Sequence, residues 1–297
     1  MAEEISLVER IKMIENLYII TPEIKQALET IRICRDSGYK PYEPYCMTIE
    51  GPFGSGKTEL ATRVVQGILN DYAETQSAIK AVLLTTPVNP TEKKLSQEFF
   101  FGLKIPFRGR TDAHIMAETI KRNIDYFRPE LIFIDEIQHF FDGQTSRLII
   151  SACDHLKQII KQSSAPIILM GLDGKVAEFL ELNPQLGSLF INTHHMKNFN
   201  WDEKKPESIR YLQEFLFHVE DGFHLKYPSN LAETSMAQKL FLASKGVKRV
   251  LMRLLIRAAK QAIQSGEEKI NLSILSQVWL QIGRGPGSSK RNPFSFG

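Results

Sequence analysis

Residues 45–58, YCMTIEGPFGSGKT, restrict this chain's fold more than any other stretch. A short apolar run (Cys46, Met47, Ile49) leads into Gly51-Pro-Phe-Gly-Ser-Gly-Lys57-Thr58, and helix-forming residues follow at once. This is G-x-x-x-x-G-K-[ST] with the strand before it and the helix after it that the motif requires. Glycines let the backbone wrap so that successive N–H groups face one anion, and the helix adds its positive N-terminal end. The expected phosphate cradle is Gly51, Phe53, Gly54, Ser55, Gly56, Lys57, Thr58 and Glu59. Lys57 would reach the outer phosphates, and the Thr58 hydroxyl would ligate Mg²⁺.

The rest of the chain alternates strand-like and helix-like runs. Ala81–Thr85, Leu131–Asp135, Pro166–Gly171 and a stretch from Phe190 to Phe199 read as strands. Between them, Glu59–Leu69, Thr91–Phe101, Ala113–Tyr126 (capped by Thr111-Asp112) and Gln144–Lys161 read as helices. Strands that are nearly all apolar and alternate with helices predict an α/β fold, a parallel sheet sandwiched by helices. Residues 1–44 read as a helical lead-in, with Thr21-Pro22-Glu23 starting its second helix. The sheet domain is expected over 45–201 and an all-helical domain over 202–283. A flexible basic tail is expected over 284–297, with Phe294 and Phe296 as possible anchors for a partner.

Asp135 and Glu136 close a buried strand, and in a parallel sheet such ends converge on the ligand side. Asp135 would hold the Mg²⁺ shell, and Glu136 would act as general base toward an attacking water. His139, in the same DEIQHF run, reads as a structural neighbour of that pair. His194-His195 resembles a metal pair, but no third ligand stands at useful spacing.

Composition narrows the field without deciding it. With 43% hydrophobic and 24% charged residues in 297, the chain reads as an ordinary globular protein of one large or two modest domains. The net charge of +3 neither demands nor excludes nucleic acid, so any basic site must be local. Three scattered cysteines, no secretory signal and no apolar run of membrane-spanning length predict a cytoplasmic, membrane-free protein with reduced thiols.

Taken in order, GPFGSGKT, TTPVNPT (85–91), LIFIDEIQHF, IILMGLDG, PQLGSLF and SKGVKRVLMRLLIRAAKQAI resemble the AAA+ ATPases of bacterial DNA transposition, the TniB/TnsC type. The resemblance runs from about residue 10 to residue 282. It implies an AAA+ core followed by a helical lid, with ATP and Mg²⁺ bound between subunits of a homo-oligomeric ring or helical filament. That oligomer would sit on double-stranded DNA and link a target-selection protein (TniQ-like) to the transposase.

Carried over residue by residue, the resemblance gives Arg249 the sensor-2 role toward the γ-phosphate, with Lys248 beside it as fallback. Tyr18 and Ile19 would pack on adenine. Lys93, Lys94, Arg108, Arg110 and Thr111 would meet DNA phosphates, contacts that carry no sequence information. Two positions depart from the family pattern. Leu172 stands where a polar sensor-1 residue is expected, with Asp173 next to it, and Leu189 stands where an arginine would reach a neighbouring subunit's site. A helicase loader or replication initiator, an ATP-switched adaptor with little hydrolysis and a small-molecule kinase are the competing readings.

Overall fold

The computed structural model describes residues 6–38, 44–72, 79–107, 109, 112–142, 146–161, 163–182, 184–282 and 291–295. Five strands form one parallel sheet in the order β2-β3-β4-β1-β5: β1 Cys46–Glu50, β2 Ala81–Thr85, β3 Leu131–Asp135, β4 Ile167–Gly171 and β5 Phe190–His195. Every residue of β1, β3 and β4 is buried, as a sheet covered on both faces requires. The register aligns Thr85 with Asp135, and Glu50 with both Gly171 and His195. The carboxyl ends of all five strands therefore share one edge.

Helix α1 Leu7–Glu15 comes first, and α2 Pro22–Ser37, α3 Lys57–Asp71, α4 Glu92–Gly102, α5 Ala113–Phe127, α6 Ser146–Lys161, α7 Lys175–Glu181 and α8 Pro184–Gly187 accompany the strands. A 3-10 helix, Ile137–Phe141, follows β3 directly. Then come α9 Pro206–Phe223, α10 Thr234–Ser244, α11 Lys248–Gln264 and α12 Leu272–Gln281. Side-chain caps set several starts: Thr91 accepts from the Lys94 N–H, Asp112 from His114 and Asn271 from Ile274. Ser6 and Glu9 close a reciprocal capping box on α1. Among the described residues, no helix is long and apolar enough to cross a membrane.

The chain divides into two compact units, residues 22–196 and residues 1–21 with 197–297. These boundaries differ from the expected lead-in over 1–44. Helix α2 belongs with the sheet because it buries Ile24, Ala27, Ile31 and Cys34, and because Arg35 pairs at 2.5 Å with Glu130, just before β3. Helix α1 belongs with the helical unit. Arg10 makes a two-pronged ion pair with Glu268 at 2.8 and 2.7 Å, and Leu17 lies so close to Gly222 that a Cβ there would sit 2.5 Å from it.

Each unit has its own apolar core. The first gathers residues such as Phe99, Ile120, Phe140 and Leu169, the second Leu216, Leu255, Ala259 and Leu275. The last strand is shorter than expected and ends at His195 rather than Phe199. The Phe199 N–H bonds the Gly246 carbonyl at 2.9 Å, and its ring packs in tilted contact with Tyr211 and Phe215. The expectation of a free tail also fails over 291–295. Phe294 is 1% exposed in the second core, and Asn292 donates to the Ser276 hydroxyl at 2.7 Å. Phe294 anchors its own unit. Phe296 and residues 283–290 lie outside the described residues.

Cys34, Cys46 and Cys153 are buried thiols that form no disulfide. Burial pushes the thiols of Cys34 and Cys153 up to about 12, which leaves them without thiolate character.

Candidate nucleotide-binding site

The loop of residues 51–56 turns directly from β1 into α3. Gly56, the residue before the helix, takes φ +105°, a conformation that side chains resist. Gly51 is required for a different reason. A Cβ there would lie 2.3 Å from the Met196 carbonyl oxygen, because the chain leaving β5 crosses the loop at contact distance. Lys57 is 9% exposed, and its ammonium donates to the carbonyls of Gly51 at 2.7 Å and Pro52 at 3.2 Å. It thus stands across the mouth of the cradle. The Ser55 hydroxyl is buried with no hydrogen-bond partner among the described residues. A buried donor left unpaired beside an ammonium fits an anionic group lodged in the loop. Phe53 is exposed, and the Glu59 carboxylate turns to Arg63 at 2.7 Å rather than into the cradle.

The acid pair lies opposite. The Thr58 hydroxyl donates to Asp135 Oδ2 at 2.6 Å, which joins the first turn of α3 to the end of β3. These two oxygens form the hard donor set that Mg²⁺ favours. Burial raises the Asp135 carboxyl above its usual value, against the Thr58 and Glu136 N–H hydrogen bonds and the Lys57 charge. Glu136 follows with φ +60° and ψ +40°. A non-glycine residue in this left-handed region is strained. Glu136 Oε2 accepts from the Gln138 side-chain amide, and the Gln138 carbonyl accepts from the Leu172 N–H at 3.2 Å. His139 donates through Nδ1 to the Thr86 carbonyl at 2.8 Å, so it braces the end of β2 against the 3-10 helix.

The departures from the family pattern now have physical reasons. Leu189 is partly buried and packs on the first core, so nothing at that position extends outward as a cation. Beyond β4, Leu172 contributes its backbone N–H, and Asp173 is exposed. In the helical unit, Lys248 and Arg249 open α11 with opposite orientations. Lys248 is buried with its ammonium 5.5 Å from the Phe199 ring centroid, whereas Arg249 is exposed. Tyr18 and Ile19 also belong to that unit, where Ile19 packs on the second core.

One side-chain grouping escaped the sequence. His195 gains neighbours that linear spacing concealed: its Nδ1 lies 3.9 Å from both Glu50 and Asp173, because β1 and β5 pair in register. Glu50 already accepts from the Gly174 and Ala177 N–H groups at 3.1 and 2.9 Å, which ties the start of α7 to β1. Among the residues expected at DNA, Lys93 reaches the Gly109 carbonyl at 3.4 Å and Lys94 the Asn89 carbonyl at 3.1 Å. The start of α4 and Gly109 are therefore neighbours. Arg108, Arg110 and Thr111 lie outside the described residues.

A parallel sheet in this strand order, a glycine-rich loop opening α3 and an acid pair closing β3 define the AAA+ P-loop ATPase fold. Residues 10–200 match the family described as bacterial TniB protein, and the chain belongs to that family. No curated protein matches it in sequence. Similar solved structures include the ORC2 protein of Aeropyrum pernix in ADPNP–ADP complexes, with TM-score 0.64, 15% identity and coverage of 91% of this chain and 71% of that one. The Aeropyrum pernix ORC1 protein in complex with DNA gives 0.65, 15%, 93% and 69% in the same order. Cdc6p of Pyrobaculum aerophilum gives 0.64, 14%, 92% and 71%. At such identities the likeness speaks for the fold.

Proposed function

We propose that this chain is an ATP-hydrolysing regulator of DNA transposition that assembles as a homo-oligomer on double-stranded DNA. In that role it joins a TniQ-like target-selection protein to the transposase. The observation that carries the reading is the Thr58–Asp135 contact across from Lys57, within a chain of the TniB family. A triphosphate in the cradle would meet the Lys57 ammonium and the Ser55 hydroxyl. Thr58 and Asp135 would hold Mg²⁺, which supplies neutralisation of phosphate charge. Glu136 accepts a proton as a water oxygen bonds the γ-phosphorus and the bond to the bridging oxygen breaks, giving ADP and phosphate. Arg249 is assigned to the γ-phosphate and Tyr18 with Ile19 to the adenine. Lys93, Lys94, Arg108, Arg110 and Thr111 are assigned to DNA phosphates.

One similar protein was solved in complex with DNA and another in ADPNP–ADP complexes, and both agree with this role. Sedimentation with and without ATP and duplex DNA tests it: large assemblies are expected only when both are present. A species that stays the same size in all four mixtures would sink the assembly role.

A second reading, an adaptor that ATP switches on with little hydrolysis, is favoured by the inward packing of Leu189. An absent cationic finger lowers turnover by roughly 10³-fold or more. Turnover measured beside assembly separates the two readings.

A further inference from the structure

We infer that Gln138 is the positioning residue of the hydrolytic site, holding Glu136 in its working direction and tying that direction to the phosphate loop. The inference rests on Glu136 being the general base. Its side-chain amide donates to Glu136 Oε2, and its carbonyl accepts from the Leu172 N–H at 3.2 Å. The two partners demand the same orientation of the carboxamide: reversed, NH₂ would face an N–H and the carbonyl would face a carboxylate. Gln138 therefore has one satisfied setting, and in that setting Glu136 has one anchored oxygen.

The anchor leads on to the phosphate loop. The peptide group between Gly171 and Leu172 supplies the N–H that Gln138 accepts. The carbonyl of that same peptide accepts from the Gly51 N–H, the first of the loop, at 3.3 Å. One peptide at the end of β4 thus stands between the cradle and the general base. Gly171 keeps this place clear, since a Cβ there would lie 3.1 Å from Gln138 Oε1 and 2.9 Å from Val176 Cγ2. The end of β4, which offers no polar side chain at Leu172, reaches the reaction through its backbone and Gln138.

Untethered, a half-exposed glutamate samples many rotamers. The freedom given up when one is held corresponds to roughly ten- to thirty-fold in population. The test compares Gln138→Met, which keeps the length and removes both hydrogen bonds, with the wild type, Glu136→Gln and the double variant. ATP affinity is read by fluorescent-analogue titration, and hydrolysis by single turnover with protein in excess. The inference predicts that Gln138→Met lowers the hydrolysis rate roughly ten- to thirty-fold with ATP affinity within about twofold. In the Glu136→Gln background the same change should have no further effect. Gln138→Leu, read the same way, guards against a defect special to methionine.

A rate within twofold of wild type in both variants overturns the inference. So does a drop matched by an equal loss of ATP affinity, since a merely structural role would move both. Additive losses in the double variant overturn it as well. If Glu136→Gln itself turns over at the wild-type rate, the general-base reading has failed, and that result is distinct from the others.

Discussion

Gly51→Ala is the most exposed test of how the cradle is built. The added Cβ would lie 2.3 Å from the Met196 carbonyl oxygen and 3.0 Å from Ser55 Oγ. An ordinary carbon–oxygen contact is about 3.3 Å, so one backbone segment must move by about 1 Å. Neither segment is loose. The Met196 N–H bonds the Glu50 carbonyl at 2.8 Å, and the Gly51 N–H bonds the Gly171 carbonyl at 3.3 Å. Weakening the two bonds costs about 1 kcal/mol each, and overpacking a closed site adds about 1–3 kcal/mol. The total, about 3–5 kcal/mol, is a large share of the stability of an ordinary domain. A 1 Å displacement of the loop should also weaken ATP binding, because the backbone N–H groups would then miss hydrogen-bond distance to the phosphate oxygens. Urea unfolding with the helical unit's signal separated, together with nucleotide titration, measures both effects. A variant that unfolds within about 0.5 kcal/mol of wild type and binds ATP normally would refute the close-approach argument.

Other outcomes follow from the same geometry. Phe294→Ala should destabilise the helical unit by about 3 kcal/mol, since the ring is 1% exposed among apolar neighbours; a urea midpoint that does not move would return 291–295 to the status of a tail. His155 is 6% exposed with Ser96 Oγ 2.7 Å from its Nε2, and burial lowers its pKa against the pull of the Glu92 charge. The folded state therefore refuses a proton that the unfolded chain accepts below about pH 6.5. Its stabilising contribution is complete above that value and is lost as pH falls toward the lower folded pKa. Unfolding between pH 7.5 and 5.5 should show a shallower slope in His155→Gln than in wild type, and equal slopes would contradict the assignment.

Much of the candidate site was legible because its residues stand close together in the chain. A glycine spacing, a lysine and a threonine specify the cradle within eight residues, and two acids at the end of an apolar run mark the opposite wall. The sheet was legible for a similar reason, since fully buried parallel strands read as unbroken apolar runs. What the sequence concealed depends on distant pairing. Helix α2 joins the sheet unit through Arg35 and Glu130, which are far apart in the chain. The short α7 begins after Gly174 at φ +72° with no side-chain cap, so its start carries no capping signal, and its tie to β1 comes from Glu50. Gln138 acquires a role only once β4 is known to end beside it, and His195 meets Glu50 and Asp173 only through strand register. Phe294 looked free because nothing in a Gly-, Pro- and Ser-rich stretch announces that its aromatic ring fills a core.

The central claim is that Glu136 activates water for attack on a triphosphate held by Lys57, Thr58 and Asp135. Single-turnover hydrolysis and ATP binding of Glu136→Gln test it most directly. The account predicts ATP affinity within about threefold of wild type and a hydrolysis rate lower by about 100-fold or more, the scale of a lost general base. Hydrolysis at the wild-type rate in that variant would contradict it.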